Sequence, residues 1–279
     1  MIPRDSRKPI RGSKWLRTAL PRLRNHLNAL LLGILLPAGA FAQSAESVQL
    51  WSYHNFPPFV TDLTAEQGLT FDLAAELTRR SAGKFIFEVT VLPRFRLNEF
   101  LSQDLPGLVP WVNPIWFADR DQTRYLWSRQ IMQDRNSVIS PAGSPVDYSG
   151  PESLDGMVLA AVQGHRYSGV QDLIEQGRVT RTDLRSEKSL VQFVAAGRGS
   201  VAILATSALD YYLQDADLQE QLAVSRRPHA TYHRHIMTQK DLPHVHAFVE
   251  SVMDELMQSG AWQDTLQEYG ARSQADLPQ

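Results

Sequence analysis

The planar guanidinium of Arg120 offers paired N–H donors that match a carboxylate, and it stays charged at any relevant pH. The alternative is a solvated Arg120 paired with Asp119 or Asp121, and Arg124 is close enough to compete for the same role. A second basic group, His165-Arg166-Tyr167, directly follows Gly164. Backbone N–H groups at a helix start attract anions, and Arg166 strengthens that pull. Ordinary capping with exposed side chains is the alternative. Between these groups in the fold, aromatic residues could wall a cleft: Tyr53, Phe56 and Phe59 around the stiff Pro57-Pro58 pair, and Trp111, Asn113 and Trp116 after an apolar strand. Aromatic walls shed water at little entropic cost and stack on planar or cationic ligands. Packing in a core is the competing use of each ring.

Bond-making chemistry has fewer candidates. There is no Gly-x-Ser-x-Gly elbow, no phosphate-cradling glycine loop and no His-Glu-x-x-His. Cysteine is absent, which removes disulfides, thiol catalysis and Cys-based metal sites together. His229, His233, His235, His244 and His246 are close in sequence, but their spacing gives no helical i, i+4 pair, so no metal and no cofactor is expected. Glu187 reads as helix-start chemistry, and Arg94 and Arg96 as partly solvated residues straddling a helix start, with facing a cleft as the alternative.

The elements that must position these residues alternate strand and helix. Residues 48–53 alternate apolar and polar as a half-buried strand does. Leu69, Leu73 and Leu77 mark one helix face, stopped by Ser81-Ala82-Gly83. A strand at 85–92, a helix at 95–101 and a strand at 107–112 complete a β-α-β-α-β unit, which implies a parallel sheet covered by helices. An extended 136–140 leads into a turn-rich boundary at 141–151. The alternation then restarts: strands at 157–162, 179–183, 201–204 and 232–237, and helices at 168–176, 187–196 and 208–213. Val245, Phe248, Val249, Val252, Met253, Leu256 and Met257 follow the i, i+3, i+4, i+7 rule, and a last helix covers 261–269. The C-terminal helices have no sheet of their own and are expected to return to the first unit. This predicts an α/β fold of two lobes, each a mixed sheet flanked by helices, with a hinge and a central cleft. Lobe one would take 43–137 and 235–279, and lobe two 138–234.

Residues 1–42 read as a cleaved signal peptide. Eight basic residues stand against Asp5, an apolar run covers 29–36, and Ala40-Phe41-Ala42 gives the small-x-small pattern of a cleavage site. Eight apolar residues are too few for a hydrocarbon core that needs about 20. Of 28 Lys+Arg and 30 Asp+Glu in the whole chain, 20 and 29 remain after such cleavage, a net charge of −9. That sign excludes the clustered basic surface a nucleic-acid binder needs.

Five segments, taken in order, carry a family likeness. They are Tyr53-His54-Asn55-Phe56-Pro57-Pro58-Phe59; Gly68-Leu69-Thr70-Phe71-Asp72-Leu73; Asp119-Arg120 followed by Tyr125-Leu126-Trp127-Ser128; Leu154-Asp155-Gly156 with Gly164; and Gly197-Arg198 before an apolar strand. With them the sequence resembles the family 3 bacterial extracellular solute-binding proteins, of the polar-amino-acid transport type. The resemblance implies the type II periplasmic-binding-protein fold and a monomer in the periplasm. It implies capture of a small polar ligand by hinge closure, no enzymatic activity, and delivery to an ABC-type permease in the inner membrane. It also gives Arg120 the ligand carboxylate. The sequence departs from the family pattern at Ser200 and Ala205, where acids are usual, at Phe117, where Thr is usual, and at His165-Arg166-Tyr167, where small hydroxyl residues are usual. These changes tilt the expected ligand from a zwitterionic amino acid toward a carboxylate. The expected binding residues are thus Tyr53, Phe56, Phe59, Trp111, Asn113, Trp116, Arg120, His165, Arg166 and Tyr167. Two other functions fit the same scaffold: a periplasmic dehydratase-like enzyme acting on a cyclic carboxylate, which needs a cleft acid or base, and a ligand-sensing receptor for a signalling partner.

Overall fold

The computed structural model describes residues 44–270, so the expected signal at 1–42 and residues 271–279 lie outside it. Strand β1 (Glu46–Ser52) buries Val48 and Leu50 around the half-exposed Gln49. Helix α1 (Leu69–Arg80) buries Leu69, Leu73 and Leu77, one face at i, i+4 and i+8. Asp72 in its first turn and Arg79 and Arg80 in its last suit the helix dipole. Then come β2 (Phe85–Val91), α2 (Arg94–Ser102) and β3 (Leu108–Val112). β1 runs parallel to both β2 and β3, giving the order β2-β1-β3. After the two-residue β4 (Leu126–Trp127), β5 (Met132–Pro141) carries the chain into its second half.

The second half repeats the plan with β6 (Val158–Val162), α3 (Val170–Glu175), β7 (Thr180–Leu184), α4 (Glu187–Ala195) and β8 (Val201–Ala205). β6 lies between β7 and β8 and runs parallel to both. Helices α5 (Thr206–Tyr212) and α6 (Ala216–Gln221) and strand β9 (Leu222–Val224) follow. β10 (Ala230–Thr238) brings the chain back to α7 (Pro243–Gln258) and α8 (Gly260–Glu268). Pattern reading of the sequence missed β4, α6 and β9. Two or three residues hold no period, and α6 is a polar helix started by Asp215, whose side chain accepts the N–H groups of Asp217 and Leu218.

The two mixed sheets share β10, so strand pairing is continuous: β2-β1-β3-β10 and then β10-β5-β8-β6-β7. Residues 132–136 of β5 pair antiparallel with 230–234 of β10. Farther along, β10 pairs with β3 and β4, with a register irregularity between His235 and Met237. This two-stranded ribbon is the hinge between the lobes.

Each sheet is covered on both faces. Val48, Leu50 and the α1 leucines pack with Val245, Val249, Met253 and Leu256 of α7 and with Trp262 and Leu266 of α8. Leu97 and Leu101 of α2 cover Trp51, Val109, Val112 and Trp127 on the other face. In the second lobe, Leu159 packs with Val170 and Leu173 of α3 on one face, and Ala160 with Leu190, Val191 and Val194 of α4 on the other.

Candidate functional site

Both sheets have the doubly wound 2-1-3 order, so each has a switch point between its first and third strands, where loops diverge from the strand ends and leave a crevice. The segments in question are 53–59 and 113–120 in the first lobe and, in the second, 163–169 and the direct passage from β8 into α5 at Ala205-Thr206. Nearly all the residues singled out by chemistry fall on these segments.

In the first lobe the structure brings the aromatic candidates together. Phe59 and Trp111 are buried with ring centroids 5.4 Å apart, and Trp111 Nε1 donates to Thr70 Oγ1 at 3.1 Å. Their rings therefore belong to the lobe's interior. Trp111 takes φ 65, a left-handed conformation uncommon for a bulky residue. Asn113 Oδ1 accepts the N–H of Ile115 and its amide donates to His233 O at 2.9 Å, tying the turn after β3 to the hinge strand. Half-buried Trp116 meets Tyr232 edge to face at 5.1 Å. Half-buried Tyr53 lies under the guanidinium of Arg94, 4.9 Å from the ring centroid, and that guanidinium also covers Phe117 at 4.1 Å. Arg94 donates to Trp116 O at 2.6 Å and to Asn98 Oδ1 at 3.0 Å, and it has no carboxylate partner among the described residues.

At the centre stands a group the sequence reading did not single out. Arg234 of β10 and Asp134 of β5 are diagonal neighbours across the hinge ribbon, since Asp134 faces Tyr232 and Arg234 faces Met132. They are 1% and 3% exposed. Asp134 Oδ2 accepts from Arg234 Nε at 2.9 Å and Nη2 at 2.8 Å, and from Ser207 Oγ at 2.7 Å. Its Oδ1 accepts the N–H groups of Arg135 and Ser207. The signal was present: in a strand of period two, Arg234 shares a face with Ile236, which is fully buried. A charge on the apolar face of a strand marks a buried ion pair, whose rupture from one side costs about 3–5 kcal/mol.

His54, also buried, places Nε2 3.3 Å from Arg234 Nη1. A guanidinium only donates, so Nε2 accepts and the proton sits on Nδ1, which has no partner among the described residues. Burial holds His54 well below the ordinary histidine pKa, and the charges of Arg234, His165 and Arg94 push the same way. His165 comes from the second lobe, so groups from both lobes act on His54.

On the second lobe, His165 and Arg166 are exposed, and Arg166 makes a loose 3.8 Å pair with Glu175. The Gly164 turn is fastened by Arg181, which donates to His165 O and Val162 O. Tyr167 is instead buried in the core, its hydroxyl without a partner among the described residues. Glu187, at the start of α4, is buried too, and that burial pushes its carboxyl up to about 7. It acts electrostatically on both Tyr167 and Tyr212.

Phe56 packs on the cores of both lobes. It opens onto an interlobe cavity of about 780 Å³, walled by Asn55, Pro57, Val60 and Leu63 on one side and by Lys188, Gln192, Tyr211 and Tyr212 on the other. Arg120 lies apart from this wall. It is exposed in a shallow depression of about 330 Å³ that only first-lobe residues line, Ile115, Asp119 and Thr123 among them. Its neighbour Asp119 is committed to structure, accepting the N–H groups of Thr123, Arg124 and Tyr125 and the indole N–H of Trp127. The histidines of 229–246 go separate ways. His229 bonds the Tyr148 hydroxyl, His235 the Ser128 carbonyl and His244 the Glu46 carboxylate. Among the described residues no group of three His, Asp or Glu is placed to hold a metal.

Solved structures similar to this chain match about 80% of it. A mutant of ArgBP from T. maritima superposes with a TM-score of 0.62 at 16% identity, covering 80% of this chain and 94% of that one. This is the type II periplasmic-binding-protein fold. The GluR0 ligand-binding core from Nostoc punctiforme, in complex with L-glutamate, matches at 0.62 and 13% identity over 80% of this chain and 98% of that one. AncCDT-1, an ancestral amino acid-binding protein and precursor of cyclohexadienyl dehydratase, matches at 0.60 and 14% identity over 80% and 95%. No protein-family model matches the chain, and no curated protein matches it in sequence.

Proposed function

We propose that this chain is a two-lobe solute-binding protein that closes on a small carboxylate-bearing ligand in the periplasm and hands it unchanged to a membrane permease. One observation carries the ligand class: the guanidinium of Arg94 stands over the first-lobe aromatic residues without an acid among the described residues to neutralise it, while the buried acid Asp134 is spent on Arg234. Arg94 keeps donors without a carboxylate partner among the described residues, and it lies over the aromatic floor. The fold supports closure, because a ligand that touches both lobes favours their approach. The signal-like 1–42 supports export.

A melting screen of organic acids, amino acids and amines tests this reading, since a ligand at 100 times its Kd adds about 2.7 kcal/mol. A carboxylate is expected to stabilise the protein. Arg94→Ala should then raise its Kd about 10- to 150-fold, the range of one charged hydrogen bond. The family resemblance gives this role to Arg120, so Arg120→Ala is measured alongside. Binding of lysine or a polyamine with every organic acid silent would sink the reading.

A second reading, a dehydratase acting on a cyclic carboxylate, gains one observation. Glu187 supplies the carboxyl with a raised pKa that such chemistry needs, and it lies between two residues of the cavity wall, Ser186 and Lys188. Incubation with cyclic hydroxy-carboxylates decides it: release of water that Glu187→Gln abolishes supports the enzyme, and unchanged ligand removes it.

A further inference from the structure

The guanidinium of Arg234 has five N–H bonds, and the structure supplies an acceptor for each. Nε and one Nη2 hydrogen meet Asp134 Oδ2 at 2.9 and 2.8 Å, and the other Nη2 hydrogen meets the Tyr232 hydroxyl at 3.2 Å. Nη1 gives one hydrogen to Trp111 O at 2.7 Å and one to His54 Nε2 at 3.3 Å. Around this ring of acceptors stand three aromatic groups, with centroids 4.6 Å (Phe59), 5.2 Å (Tyr232) and 5.5 Å (Trp116) from Cζ. A guanidinium with every donor satisfied has none left for a ligand carboxylate, so Arg234 is no anchor. A pocket that satisfies all five donors and adds ring faces is a complete guanidinium receptor. Its acceptors come from the first-lobe wall and from both hinge strands, and Asp134 is in turn held by Ser207 at the start of α5 in the second lobe.

We propose that Arg234 is the specificity-determining residue of the cleft, a resident guanidinium that occupies this receptor and so bars cationic side chains from it. The proposal rests on the binding reading for its meaning, but the receptor itself can be tested without any ligand. Arg234→Ala keeps Cβ and deletes a group that ethylguanidinium replaces. Melting curves of wild type and Arg234→Ala are recorded with ethylguanidinium, ethylammonium and L-arginine at matched ionic strength.

The expected result is a saturable rise in the melting temperature of Arg234→Ala with ethylguanidinium and with arginine. No rise is expected with ethylammonium, which has the charge without the planar fork, and none in the wild type with any of the three. A rise of equal size in the wild type, or none in the variant, overturns the proposal. If Arg234→Ala yields no folded protein alone, dilution from urea into ethylguanidinium is expected to recover the native circular dichroism, and failure to do so overturns it equally. A buried ion pair with a purely structural role gives a weaker variant that no cation selectively restores. Rescue by ethylguanidinium in a protein that binds no carboxylate refutes the proposed function and leaves the receptor standing. Carboxylate binding without rescue does the reverse.

Discussion

Glu187 and the buried histidines pull the stability of this protein in opposite directions as pH changes. The Glu187 carboxyl moves from an ordinary 4.5 to about 7 because burial disfavours its charge. The folded chain therefore holds a proton there that the unfolded chain has lost. That contribution is complete below about 4.5 and is lost as pH rises through about 7, at about 1.4 kcal/mol per pH unit in between. His54 and His229 both lie below the ordinary 6.5, chiefly through burial, so their contribution is present above 6.5 and falls away as pH drops. Between 4.5 and 6.5 the two effects oppose one another. Glu187→Gln removes the contribution that opposes the histidines, so its stability should climb with pH across that window more steeply than the wild type's. Urea midpoints at a series of pH values measure this, and parallel profiles for the two proteins would refute it.

Among the elements, the start of α1 depends on one glycine. Gly68 has φ 126 and ψ 164, a region that is nearly glycine's alone. A Cβ there would lie 2.6 Å from Phe59 O and 2.8 Å from Val60 Cα, both backbone atoms that cannot swing aside. Gly68→Ala is expected to cost at least about 2 kcal/mol by urea denaturation, and a loss under about 0.5 kcal/mol would mean that the loop shifts freely. The long elements around it were legible in the sequence because α1 and α7 each hold one helical period long enough to read, and β6 is an unbroken apolar run. The loop after β1 was legible as a cleft wall, and Asn55, Phe56 and Pro57 of it line the interlobe cavity. Which way individual side chains turn was not. Trp111 and Tyr167 go inward because the sheet and helix packing leave room for a ring, and that room is set by residues 40 or more positions away, such as Thr70 for Trp111 and His229 for Tyr167. The Asp134–Arg234 pair was half legible. Alternation along β10 points Arg234 inward, but its partner lies a hundred residues earlier, and only the antiparallel ribbon brings them together.

At the scale of the whole molecule, the lobes are joined by two strands and by one aromatic ring that belongs to both cores. Phe56 is half-buried and packs on both cores, so an opening that parts the lobes would remove its apolar contact with the second. Removing that contact should shift the balance between closed and open forms by about 1 kcal/mol, or about fivefold. Phe56→Ala is therefore expected to show a larger radius of gyration by small-angle scattering without ligand, and the same radius as the wild type with it. Identical ligand-free curves would show that Phe56 does not hold the lobes. The same ring ties the aperture to temperature. Apolar burial weakens on cooling, whereas the hydrogen bonds and charges that fix the hinge do not share that dependence. Between a warm and a cold solution the unliganded protein would stand with its cleft wider in the cold, and a ligand captured there would meet a slower, more costly closure than one captured in the warm.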